Sequence, residues 1–160
     1  MSLAFDPSEL DADDIGEKQT TLEMGHEEAV EHVRKVAEET GFGVPVEFSP
    51  SELLNEKVDR EARRASGSRT ESDDADRDPY YVLGACNPNM ADRALDETLE
   101  QGALFPCNFV VWEEEPGVQR VYHVSIMKIG RLVGIAPDSD EWQSIVEDTG
   151  ELVEAFFERV

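Results

Sequence analysis

Both cysteines of the chain sit in short, related stretches: Gly84-Ala85-Cys86-Asn87-Pro88 and, further along, Phe105-Pro106-Cys107-Asn108. Such residues can serve as a thiol nucleophile, as a dithiol pair, as half of a metal site, or as small apolar packing. Cys86 falls where a predicted strand ends and a predicted helix begins. Backbone N–H groups and the helix dipole favour negative charge there, so a thiolate, or a ligand's phosphate or carboxylate, would be stabilised. Gly84 and Ala85 leave room for close approach. In the alternative, Cys86 is a small buried residue that packs the turn, and Asn87 is used up as the helix cap.

Cys107 opens the next predicted strand, with Asn108 pointing to the opposite face. A helix of ~12 residues covers ~18 Å. If that helix returns the chain for a parallel strand, Cys107 starts at the far end of the sheet from Cys86, which argues against a dithiol pair. No metal site is expected: there is no C-x-x-C, and His26, His32 and His123 fall in separate elements. His26 and His32 are expected to face solvent from the first helix. His123 shares a strand face with Ser125 and either lines a cavity or is an ordinary sheet histidine. The candidate ligand-binding residues are therefore Cys86, Asn87, Asn89, Cys107, Asn108 and His123. No cofactor is indicated.

The elements that must position these residues can be read from periodicity. Residues 1–16 are acidic and lack periodicity, which predicts a tail, followed by a single α+β domain over 17–160. The segment Glu17 to Met24 can form a strand. Ala29, Val30, Val33, Val36, Ala37 and Thr40 share one helical face, and Gly41 terminates that helix. Val44, Val46 and Phe48 alternate as in a strand, with Pro45 placing it at an edge. Ser49 caps a helix that has Pro50 at its first position and Glu52 three residues after the cap. A polar loop is predicted over 60–78.

Tyr80 to Cys86 reads as a buried strand. A helix follows with Met90, Ala94, Leu95 and Leu99 inward, capped by Asn87 or Asn89. Phe109 to Trp112 reads as a central strand. After the Pro116-Gly117 turn, a hairpin partner is predicted to run on through Met127. The last helix spans 139–159, with Trp142, Ile145, Val146, Leu152, Val153, Phe156 and Val160 as its stripe. The expected architecture is α+β: roughly five strands, mixed or mainly antiparallel, with two long helices on one face.

Composition bounds the partners. The 160 residues hold 14 Lys plus Arg against 37 Asp plus Glu, a net charge of −23. Only Lys18, Lys35, Lys57 and Lys128 are lysines. The acids are dispersed over every segment, which is the surface expected of a halophilic protein whose self-repulsion is screened by salt. With no basic stripe to neutralise phosphates, unassisted nucleic-acid binding is disfavoured and no nucleic-acid partner is expected. No apolar run approaches the ~20 residues of a membrane span, and the first residues lack the pattern of a secretion signal. A cytoplasmic protein with free thiols is expected.

Three motifs occur in order: Gly41-Phe42-Gly43, the stretch from Leu83 to Leu95, and the stretch from Pro106 to Trp112. As a set they resemble the family known as domain of unknown function 302, over about residues 17–158. The resemblance implies a compact fold similar to the TATA-binding-protein-like architecture, and a homodimer. It implies no activity. The stretch between Arg60 and Asp78 is longer than the family's usual connection. Two functions remain open. One is a homodimer that binds a small ligand or a protein partner near the Gly84–Pro88 turn. The other is a thiol-dependent enzyme or sulfur/redox carrier using Cys86.

Overall fold

The computed structural model describes residues 6–58 and 76–160. Most of the predicted polar loop, residues 60–75, lies outside the described residues. In chain order the elements are β1 (Lys18–Glu23), α1 (His26–Glu39), β2 (Gly43–Phe48), α2 (Pro50–Lys57), β3 (Tyr80–Cys86), α3 (Pro88–Glu97), a 3-10 turn (Leu99–Leu104), β4 (Cys107–Glu115), β5 (Val118–His123), α4 (Ile126–Leu132) and α5 (Asp140–Arg159). The five strands form one sheet in the order β1-β5-β4-β3-β2, and every neighbouring pair is antiparallel. β4 is central, as its continuous apolar run predicts. β2 is an edge strand, and its register shifts between Gly43 and Val46, where Pro45 cannot donate to a ladder.

Strand alternation sorts the side chains. Leu83, Ala85, Phe109, Val111 and Val121 point to the helix layer and are buried. There they meet Ala29, Val33, Val36 and Ala37 of α1 with Val153 and Phe156 of α5. Phe109 is the hub: its ring stacks on Phe156 at 4.0 Å and on His123 at 4.8 Å, and meets Phe42 edge-on at 5.4 Å. A second cluster gathers Ala94, Cys107, Ile126, Met127, Trp142 and Ile145 around the ends of α3, α4 and α5.

α1 ends as its sequence dictates. Gly41 has φ +96°, a conformation that strains any residue with a Cβ. The Gly41 N–H donates to the Glu38 carbonyl, and the Phe42 N–H donates to the Ala37 carbonyl at 2.9 Å. These are the paired bonds of a Schellman motif. They send Phe42 straight into the core.

The structure corrects two local expectations. The strand after the Pro-Gly turn stops at His123 and does not run on to Met127. Ser125 caps a helix instead, its hydroxyl accepting from the Lys128 N–H at 3.2 Å. Leu99 is not a core residue: α3 stops at Glu97, and Leu99 is 77% exposed in the following 3-10 turn.

Candidate functional site

The antiparallel register of β3 and β4 overturns the distance argument against the two thiols. The chain between them, α3 and then the 3-10 turn, brings β4 back from the end of the sheet at which β3 finished. Ala85 is paired with Cys107, next to Cys86. Both cysteines are free. Both line one cavity of about 260 Å³ at the seam between the two core clusters. Its walls are Phe42, Pro45 and Val46 on one side, Ala85, Cys86 and Asn87 at the strand end, Met90 and Ala91 from α3, Phe105, Pro106 and Cys107 from the start of β4, and Ile126, Met127 and Thr149 opposite.

Local chemistry holds each wall. Asn87 caps α3: its Oδ1 accepts from the Met90 N–H at 3.1 Å, and Pro88 takes the first helical position. Such a cap contributes about 1 kcal/mol. The same side chain's Nδ2 donates to the Gly41 carbonyl at 2.9 Å. Asn87 thus ties the α1 terminus to the α3 start, and its polar atoms serve positioning. Arg93 clamps α3 to α5 through Glu141 and Asp148, at 2.8 and 2.6 Å. α4 is fixed by the Trp142 indole N–H donating to the Met127 carbonyl at 3.1 Å, and by the Gln101 amide donating to the Ile126 carbonyl at 2.9 Å.

Gly84 marks a close approach. A Cβ there would stand 2.7 Å from Pro106 Cγ and 2.8 Å from the Val46 carbonyl oxygen. Its lack of a side chain lets β2 and Pro106, just before β4, pack closely against β3.

The cavity is apolar, and this decides the state of the thiols. Burial pushes the Cys86 thiol above the ordinary range despite the helix start beside it. Cys107 is pushed up to about 12, by burial first and by the neighbouring Cys86 second. The thiolate expected at Cys86 from the helix dipole is thus opposed by desolvation. The one buried polar atom in the lining without a hydrogen-bond partner among the described residues is the Thr149 hydroxyl.

Of the six candidate residues, the structure brings together Cys86, Asn87 and Cys107. Asn89 is exposed on the first turn of α3, outside the cavity. Asn108 is exposed beside Gly84 on the other sheet face. His123 is buried against Phe109 and does not line the cavity. Its Nδ1–H donates to the Asn108 carbonyl at 2.9 Å, its Nε2 has no partner among the described residues, and burial lowers its pKa. His26 is half-buried, its Nδ1–H donating to Gln119 Oε1 at 2.8 Å, rather than simply facing solvent.

Met127 and Thr149 were not singled out by sequence. Thr149 lies four residues after Ile145 and so falls on the α5 stripe; its polarity hid it. No group of three or more His, Cys, Asp or Glu that could hold a metal ion occurs among the described residues. No helix among them is long and apolar enough to cross a membrane.

The comparisons with known proteins agree with this architecture. The family model for the domain of unknown function DUF302 matches residues 18–160, so the chain belongs to that family. The crystal structure of an uncharacterized conserved DUF302 protein from Bacillus stearothermophilus is similar, with a TM-score of 0.65 at 23% identity, covering 89% of this chain and 96% of that one. No curated protein matches.

Proposed function

We propose that this member of the DUF302 family is a homodimeric binding module, and that its ligand is a small, largely apolar molecule held at the Cys86–Pro88 turn. The observation that carries this reading is the cavity of about 260 Å³ where β3 gives way to α3. It is apolar, preformed by fixed elements, and supplied with one unpartnered buried hydroxyl, Thr149, to orient a guest. An apolar pocket of this kind gains affinity from area removed from water, at roughly 25 cal/mol per Å².

Thiol catalysis with Cys86 is the weaker reading. A nucleophilic thiol needs a base or a cation to make it a thiolate. The lining supplies neither, and burial raises both thiols. Dimerisation is supported by the sheet face remote from the helices. Phe48, Val82, Val110 and Tyr122 form an uncharged row across four strands there. Phe48 is 48% exposed and Val46 57% exposed.

The test is native mass spectrometry of the protein purified from its own host. The expected result is an added small-molecule mass, lost when Ala91→Trp fills the cavity. An unliganded chain, together with failure of an apolar fluorescent probe to bind the wild type in preference to that variant, would defeat the ligand reading.

A further inference from the structure

The lining of the cavity selects the charge of its guest. No lining residue is an acid, a lysine, an arginine or a histidine. The exposed part of the wall, Pro45 and Val46 on edge strand β2, is apolar as well. Burial raises both thiols, so they stay neutral. Both polar atoms of the Asn87 side chain are engaged, Oδ1 by the Met90 N–H and Nδ2 by the Gly41 carbonyl. What is left is Thr149. A helical threonine can satisfy its hydroxyl on a carbonyl one turn back. Thr40 at the end of α1 does so, donating to the Val36 carbonyl at 2.8 Å. Thr149, within α5 and 3% exposed, has no such bond and no other partner among the described residues.

We infer that the cavity takes an uncharged guest bearing one oxygen function, a hydroxyl or a carbonyl, that pairs with the Thr149 hydroxyl. The inference rests on the cavity being a ligand site, and it names the class of molecule held there. An ionised group buried without a counter-charge costs far more than a neutral oxygen. Carboxylates, phosphate esters and ammonium compounds are therefore rejected by a lining that offers none. Anions are opposed on approach as well, by the net charge of −23.

The oxygen follows from the unpaired hydroxyl. A buried hydroxyl without a partner is unfavourable, and a guest's oxygen removes that cost, whereas a hydrocarbon of the same size leaves it in place. Threonine in a helix divides between two χ1 rotamers, so the Thr149 hydroxyl can turn to meet a guest. A hydroxyl both donates and accepts, so an alcohol, a phenol or a ketone each suits it. Size narrows the class further. An apolar cavity of about 150 Å³ holds a benzene ring. The cavity of about 260 Å³ therefore suits a fused two-ring skeleton of about ten carbons.

The experiment is equilibrium dialysis of the full chain at neutral pH in high salt against four probes of one skeleton. These are 2-naphthol, naphthalene, 2-naphthoate and 2-naphthylmethylammonium. The expected result is one 2-naphthol per chain, with both charged probes held at least about tenfold more weakly, a ratio worth about 1.4 kcal/mol. Thr149→Val should weaken 2-naphthol by a similar factor and leave naphthalene unchanged. Thr149→Ser, which keeps the hydroxyl, should retain the preference for 2-naphthol over naphthalene, and it carries the test if Thr149→Val does not fold. A charged probe bound as tightly as 2-naphthol, and displaced by Ala91→Trp, would overturn the charge selection while leaving the cavity as a ligand site. Equal losses of 2-naphthol and naphthalene in Thr149→Val, or a Thr149→Ser variant without the preference, would overturn the role of the hydroxyl. No probe bound, or binding that Ala91→Trp does not disturb, would remove the cavity reading and this inference together.

Discussion

Ala85 of β3 and Cys107 of β4 are paired across the antiparallel ladder, which puts Cys86 and Cys107 at one end of the sheet and on one cavity. Their environments nevertheless differ. Cys86 is half-buried; Cys107 is enclosed among Ala94, Ile126 and Trp142. Timed iodoacetamide labelling of the native chain should therefore modify Cys86 first. Because burial raises both thiols, labelling at Cys86 should accelerate only at a pH above the ordinary thiol range. Cys107→Ser should cost of order 1–3 kcal/mol, because it puts a hydroxyl in a buried, apolar place. Faster labelling of Cys107, read by peptide mass, would contradict this assignment.

Gly84→Ala tests the close approach of β2 and Pro106 to β3. The added methyl would meet Pro106 Cγ at 2.7 Å and the Val46 carbonyl at 2.8 Å, so β2 or the start of β4 has to move. Overpacking of this kind costs typically ~1–3 kcal/mol. Urea unfolding should show a lower midpoint with an unchanged slope. A midpoint equal to wild type would mean that the close approach is not structural.

Arg34 on α1 grips Glu47 on β2 with two bonds, Nε to Oε2 at 2.9 Å and Nη2 to Oε1 at 2.7 Å. Glu31 also contacts Arg34, and the Tyr81 hydroxyl donates to Glu47 Oε1 at 3.1 Å. The Arg34 hydrogen bonds hold the Glu47 carboxyl below its usual 4.5. The sign follows: the unfolded chain takes up the proton first. Stability from this group is complete above pH 4.5 and is lost as pH falls through the lowered folded value. The pair is partly solvated, so the effect is modest. Thermal midpoints of wild type and Glu47→Gln should differ at pH 6 and converge toward pH 3. A constant difference would exclude the ion pair as the cause.

The expectations that held depend on signals a few residues long. The α1 stripe, Gly41 and the Asn87-Pro88 start are fixed by helix periodicity, backbone freedom and capping, and none requires knowledge of a distant partner. The reading failed where geometry depends on what lies between. Whether Cys107 stands beside Cys86 turns on the path of α3 and its 3-10 turn, and periodicity cannot distinguish an antiparallel return from a parallel one. The Val121–Met127 alternation looked like a strand because Ile126 and Met127 are equally suited to a helix; the Ser125 cap decided it. Thr149 was passed over because a buried hydroxyl and an exposed one look alike in sequence.

Salt should govern stability. A net charge of −23 repels itself in dilute buffer. At molar salt the Debye length falls to about 3 Å, and that repulsion is screened. The thermal midpoint should climb steadily from low salt to molar potassium chloride. A flat response would remove the case for salt adaptation.

The open sheet face gives the last prediction. Phe48, Val82, Val110 and Tyr122 lie in one register row, flanked by Tyr80 stacked on Trp112 at 5.9 Å. For two copies of so acidic a chain to associate, the contact must be poor in charge, and this row carries none. A two-fold dimer would bring the patch against itself, so one substitution acts twice across the interface. Phe48 sits on edge strand β2 and is half exposed, so Phe48→Glu should leave the fold intact. Light scattering in high salt at micromolar concentration should then report a dimer for the wild type and a monomer for Phe48→Glu, with similar thermal midpoints at protein concentrations where both are monomeric. A monomeric wild type would refute the dimer. A variant that stays dimeric would move the interface away from this face.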